Sequence, residues 1–205
     1  MSGLAIYPAT PERWEDLERC FGANGAYGNC WCTWWVLTAK EFDATAPQGR
    51  RAILRRLVAD GEEPGLLAYL EGEPVGWCAV GPRERYARMM SPRSRTFRPL
   101  DDLPSWVINC FFITRPARGQ RVATALLAGA IDYAFAHGAE RIDAYPIDPA
   151  AQAPTTDNLF VGYLPAFLAA GFVEVARMGA RPLVRLERPA PAGQPPPHPR
   201  GRAGR

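Results

Sequence analysis

The segment that constrains this chain most spans residues 106–136. An apolar run, WVINCFFI, is followed by TRPARGQR. Small and apolar residues then recur at Ala123, Leu126, Leu127, Ala130, Ile131 and Ala134. The run reads as a buried strand, and the spacing after it predicts a helix over 122–136 that Gly138 ends. A turn that only reversed the chain would not need three arginines and a glycine. At a helix start, unpaired backbone N–H groups and a partial positive charge of about half a unit form an anion site. Gly119 lets the backbone approach closely, Ala123 and Thr124 leave room over the first turn, and Arg118 and Arg121 can add charge-assisted hydrogen bonds. This chemistry suits a diphosphate. The Gly-Lys-Ser/Thr and G-x-G-x-x-G patterns are both absent, so the site uses another frame.

The rest of the chain reads as β-α-α-β-β-β-α-β-α-β-β. LAIYPA is a short strand. Thr10 is expected to cap a helix whose buried face carries Trp14, Leu17 and Phe21. A second helix is expected over 48–59, with Ile53, Leu54, Leu57 and Val58 on one side. GLLAYLEG and EPVGWCAVG form a hairpin about Glu71-Gly72. Residues 82–105 lack periodicity and read as one long loop, which in a compact domain tends to be functional or mobile. RIDAYPI is a strand, 159–169 a helix bent or delayed by Pro165, and FVEVARM with RPLVRLE a closing hairpin across Gly179. With 47% apolar residues, this order predicts a mixed α/β sheet with helices on its faces. The proline-rich segment 189–205 is expected to be a disordered tail.

The element order, FITRPARGQRVATALL after a strand, and the closing FLAAGFVEV resemble the GNAT superfamily of N-acetyltransferases over nearly all of residues 4–188. The family's pyrophosphate loop reads Arg/Gln-x-x-Gly-x-Gly/Ala. Arg118 falls on its first position and Ala123 on its last, while Arg121 stands where the family usually has glycine. The resemblance implies one α/β acyltransferase domain over 1–188, with a mixed, mostly antiparallel central sheet and helices on both faces. It implies acetyl-CoA as co-substrate. The diphosphate would lie on Arg118, Gly119, Gln120, Arg121, Val122, Ala123 and Thr124. The pantetheine arm would pair with Cys110, Phe111, Phe112 and Ile113, and the acetyl group would sit in the splay between that strand and RIDAYPI.

The family often places a tyrosine acid on its last helix, four residues before the glycine. Here that position is Phe167, and Tyr163, one turn earlier, is the candidate acid; a partly buried aromatic is the other reading. Asp143 and Tyr145 alternate with Ile142 and Ala144, so both are expected on one sheet face as candidate bases; a solvated acid and a packing tyrosine are the alternatives. Trp31, Trp34 and Trp35 in CWCTWW would border the acceptor pocket and suit an apolar or aromatic amine, or they would simply pack in the core. The loop arginines Arg83, Arg85, Arg88, Arg93, Arg95 and Arg98 would meet an anion or stay solvated.

Several functions are excluded or disfavoured by what the chain lacks. Two histidines and irregularly spaced cysteines argue against a metal site and against a hydrolase triad. Residues 1–188 are near neutral, which argues against a nucleic-acid partner, and no run is long enough for a membrane span. Five cysteines without a recognisable secretion signal imply reduced thiols in the cytoplasm. The expectation is an acetyl-CoA-dependent N-acetyltransferase, monomer or homodimer. It would transfer directly to a small-molecule amine or an amino terminus. The alternative is an acyl-CoA-binding module of the same fold without turnover.

Overall fold

The computed structural model describes residues 3–91, 94, 96–155 and 158–189. Arg93, Arg95 and the proline-rich tail after Pro189 lie outside them. The strands are β1 (Leu4–Pro8), β2 (Gly65–Leu70), β3 (Glu73–Pro82), β4 (Trp106–Ile113), β5 (Arg141–Ala144), β6 (Val173–Met178) and β7 (Arg181–Glu187). The helices are α1 (Trp14–Phe21), α2 (Ala39–Ala44), α3 (Pro47–Ala59), α4 (Ala87–Met90), α5 (Val122–Ala136) and α6 (Leu164–Ala169). The strands form one sheet in the order β1-β2-β3-β4-β5-β7-β6. Every neighbouring pair is antiparallel except β4–β5. The bounds of β4 and α5 match those read from the sequence.

Both faces of the sheet are covered. On one, α5 and α6 pack Val122, Leu126, Leu127, Leu164 and Phe167 against Leu66, Cys78, Ile108, Ile142 and Val184. Gly76 permits this contact, since a Cβ there would stand 2.9 Å from Val122 Cγ1. On the other face, α1, α3 and the segment around Trp31 and Trp35 cover Leu67, Trp77, Val107 and Leu183. The β2–β3 hairpin turns through Glu71 and Gly72, both at positive φ (52° and 86°), the conformation that matches the twist of a two-residue connection.

Local expectations failed in three places. Thr10 caps no helix by its side chain: residues 11–13 form a 3-10 turn, and Arg13 donates to Thr10 Oγ1 at 3.1 Å. The expected loop 82–105 contains a 3-10 turn at Arg83–Arg85 and α4. Three of its arginines are tied into the fold. Arg83 is buried and donates to the Asp101 carbonyl, Arg85 donates to the carbonyls of Val80 and Glu62, and Arg88 stacks on Trp34. The helix expected over 159–169 is broken. Gly162 (φ 78°) separates a 3-10 turn at Leu159–Val161 from α6, and Pro165 sits in the first turn of α6. Proline lacks the N–H an interior position needs, and the first turn asks for none.

Candidate active site

The strands β4 and β5 run side by side for three pairs, Trp106↔Ile142, Val107↔Asp143 and Ile108↔Ala144, and then separate. Beyond this fork, the β5-side edge of Asn109–Ile113 has no strand partner among the described residues. Asn109 itself is a bulge: Cys110 pairs with Ala79 and Ile108 with Val80, so Asn109 faces no partner on β3. The extra residue resets the alternation, which is why Val107 and Cys110 reach the same face although three residues apart. Asn109 is 2% exposed, and neither its Oδ1 nor its Nδ2 has a hydrogen-bond partner among the described residues. An unmatched buried polar group costs about 1–3 kcal/mol. The only sequence signal of Asn109 was being the one polar residue in an apolar strand.

At the far end of β4, Arg118 leaves a 3-10 turn (Arg115–Ala117) and donates from Nε to the Ile113 carbonyl at 3.3 Å. Gln120 bonds back to the Pro116 carbonyl at 2.9 Å. Gly119 (φ 78°) has nothing within 4 Å of where a Cβ would stand. Arg121 precedes the first turn of α5 in the left-handed conformation, φ 61° and ψ 15°. Glycine adopts that conformation without penalty, so a glycine pattern and this arginine describe the same backbone. Val122 is buried, while Ala123 and Thr124 are exposed. Arg115, Arg118 and Arg121 are also exposed, and none meets a carboxylate among the described residues.

A cleft runs from the turn along β4 in two compartments and ends at Cys110, two residues past the last β4–β5 pair. The outer one, about 590 Å³, runs from Arg115 and Arg118 past Phe21 and Phe112. The inner one, about 230 Å³, lies between Trp34, Trp35, Phe42 and Phe160 on one side and Cys110, Phe111 and Phe112 of β4 on the other. Both share Ala26, Tyr27, Gly28 and Phe112. Tyr27, half-exposed beside both compartments, is a residue that sequence reading missed. Trp34 and Trp35 stand on the inner wall, and the buried Trp35 Nε1 has no acceptor among the described residues. Trp31 does not reach the cleft; it packs on Trp14 and Phe21.

The residues expected to move protons lie elsewhere. Asp143 is fully buried and grips Arg185 through two bonds of 2.7 and 3.0 Å. Tyr145 is also buried, and its hydroxyl donates to the Arg98 carbonyl at 3.2 Å. Tyr163 precedes α6, is 40% exposed and borders neither compartment. Phe167 is packed edge-on against Phe111 and Phe172.

Three thiols line the inner compartment, those of Cys30, Cys32 and Cys110. Cys32 Sγ accepts from Trp77 Nε1 at 3.1 Å. Burial pushes the Cys20 thiol up to about 12 and that of Cys30 to about 11. The Cys110 thiol is raised well above 9.0 by its hydrogen bond with Cys32 and by burial. The thiols of Cys20, Cys30 and Cys110 therefore stay protonated and uncharged at neutral pH. The folded state holds protons that the unfolded chain releases above about pH 9. Their contribution is thus complete below that pH and lost as pH rises toward 11–12. The free energy of unfolding in urea should fall over that range, by up to about 1.4 kcal/mol per pH unit for each thiol. Cys20→Ala should make the fall shallower. A level value between pH 9 and 11 would contradict this.

Comparison with known proteins gives the family and the fold. Residues 31–153 match the family model described as the acetyltransferase (GNAT) family. No curated protein matches the chain in sequence. Among solved structures, the fold is similar to that of the histone acetyltransferase HPA2 and related acetyltransferase of Corynebacterium glutamicum (19% identity, TM-score 0.55, 93% of this chain and 99% of that one). It is also similar to YncA of Salmonella typhimurium, solved with its cofactor acetyl-CoA (13%, TM-score 0.53, 93% and 97%). A third similar structure is the PaiA N-acetyltransferase of Thermoplasma acidophilum in complex with coenzyme A (11%, TM-score 0.51, 92% and 100%).

Proposed function

The chain belongs to the acetyltransferase (GNAT) family, and on that premise we propose that it transfers the acetyl group of acetyl-CoA directly to the amine of a small molecule bound in the inner compartment. The observation that carries this reading is the cleft that runs from the arginine turn along the open edge of β4. At one end, helix-start N–H groups and exposed guanidiniums that meet no described carboxylate suit a diphosphate. Along the middle, the unpartnered edge of Asn109–Ile113 offers backbone groups to an amide-bearing arm, as an added strand would use them. At the other end, the buried amide of Asn109 meets the fork. Two similar structures hold acetyl-CoA or coenzyme A, which supports the same ligand here. The free thiols of all five cysteines fit a cytoplasmic protein.

In this reading the turn and β4 position the thioester, and Asn109 Nδ2 donates to its carbonyl oxygen as negative charge develops there. The amine nitrogen forms the new C–N bond, the C–S bond breaks, and the amine's proton ends on the departing sulfur. Asn109→Leu should lower kcat about 100-fold, the usual effect of losing one such donor. Its thermal stability should equal or exceed that of the parent, because an unmatched buried amide is removed. A variant with unchanged kcat would show that Asn109 does not face the reaction.

Calorimetric titration tests the whole reading. Acetyl-CoA and CoA should bind in the micromolar range and ATP weakly, and added amines should release CoA. No binding at millimolar acetyl-CoA overturns it. A second reading draws on Phe167, which places no hydroxyl at the family's acid position: binding without any amine-dependent CoA release would mark an acyl-CoA-binding module.

A further inference from the structure

We infer that the acceptor is a weakly basic aromatic amine of one ring, which enters the inner compartment uncharged. This rests on the acetyl-transfer reading above. Size sets the first limit: a cavity of about 150 Å³ already holds benzene, and this one measures about 230 Å³. Its aromatic walls, Trp34, Trp35, Phe42 and Phe160, suit the edges and faces of a flat ring.

Charge sets the second limit. Among the described residues, no carboxylate and no imidazole lines the compartment. Its ionisable lining groups are the thiols of Cys30, Cys32 and Cys110 and the hydroxyl of Tyr27. The charges behind the walls are cations. Arg50 lies 3.7 Å over the Phe42 ring and donates to the Phe42 carbonyl; Arg88 lies 4.0 Å over the Trp34 ring and donates to the Trp34 carbonyl. Arg181 stands over Phe97, which packs on Trp34 and Trp35. Asp43, the acid felt by Arg88, is exposed. Arg115 and Arg118 close the other end of the cleft.

An alkylammonium, ionised up to about pH 10, would have to shed its hydration here with no counter-charge and two guanidiniums nearby. Nor would it find a base to remove its proton. An aryl amine is already neutral at pH 7 and needs neither. After attack, its nitrogen becomes a stronger acid than the departing thiol. The proton then passes from nitrogen to sulfur, and the equation balances as amine plus thioester to amide plus thiol.

The probes are p-anisidine and 4-methoxybenzylamine, which differ by one methylene and in basicity. The readouts are CoA release from pH 6 to 9 and, separately, equilibrium binding to the CoA-loaded protein by tryptophan fluorescence. p-Anisidine should show a level kcat/KM and exceed the benzylamine at least about 100-fold at pH 7. The benzylamine should rise about tenfold per pH unit. Trp34→Ala should weaken p-anisidine binding about tenfold. A benzylamine preferred at pH 7 overturns the inference. So does a protein that binds acetyl-CoA but neither binds nor acetylates p-anisidine, and this result leaves acetyl-CoA recognition standing. Failure to bind acetyl-CoA instead removes the premise, and the inference with it.

Discussion

Asp143→Ala should lower the free energy of unfolding by about 3–5 kcal/mol, the usual penalty for stranding a buried charge. Asp143 and Arg185 are register partners on β5 and β7. The carboxylate is wholly buried, and the guanidinium side chain is 7% exposed. Two bonds join them, and a third runs from Arg185 Nη1 to Asp101 at 2.8 Å. Those carboxylates hold the Arg185 pKa above its ordinary value, so Arg185 cannot escape the deletion by discharging. Replacing both partners, as in Asp143→Leu with Arg185→Met, should come close to the parent, since apolar side chains of similar volume need no counter-charge. Urea unfolding measures all three proteins, and a loss below about 1 kcal/mol for Asp143→Ala would refute the account. Asp143→Asn separates structure from chemistry. A base lost in a still-stable protein would show as a fall in kcat, whereas the buried ion pair predicts a fall in stability.

Arg118→Glu combined with Arg121→Glu should weaken acetyl-CoA binding at least about 100-fold. A hydrogen bond to a charged group contributes about 1.5–3 kcal/mol, and reversing two charges beside a diphosphate removes both bonds and adds repulsion. Both side chains are exposed and unpaired with any described carboxylate, so thermal stability should stay near that of the parent. Arg121→Gly is the informative partner. It keeps the left-handed backbone that Arg121 adopts at φ 61° and removes one guanidinium, so about a tenfold loss is expected. Calorimetry at fixed ionic strength reads these effects. Parent-like affinity in the double variant would mean that the diphosphate lies elsewhere.

Much of this protein was legible in its sequence because the rules involved act over a few residues. The apolar run fixed β4, and the 3.6-residue spacing fixed α5. Glu71-Gly72 set a hairpin, and Pro165 displaced the last helix toward its own position. The arginine turn was readable for the same reason: three guanidiniums and a glycine fall within seven residues of one another, 115–121.

Tertiary structure decided the rest. No local pattern announces that β4 and β5 part after Ile108, that the bulge falls on Asn109, or that Trp34 and Trp35 border the cleft while Trp31 turns into the core. Asp143 shows why. Alternation put it on a sheet face with Tyr145, but its partner Arg185 stands 42 residues away, and Arg185 in turn bonds Asp101, 84 residues back along the chain. Periodicity tells which way a side chain leaves its own strand or helix. What it meets there is set by the order in which distant strands pack, and that order turned an expected base into half of a buried ion pair.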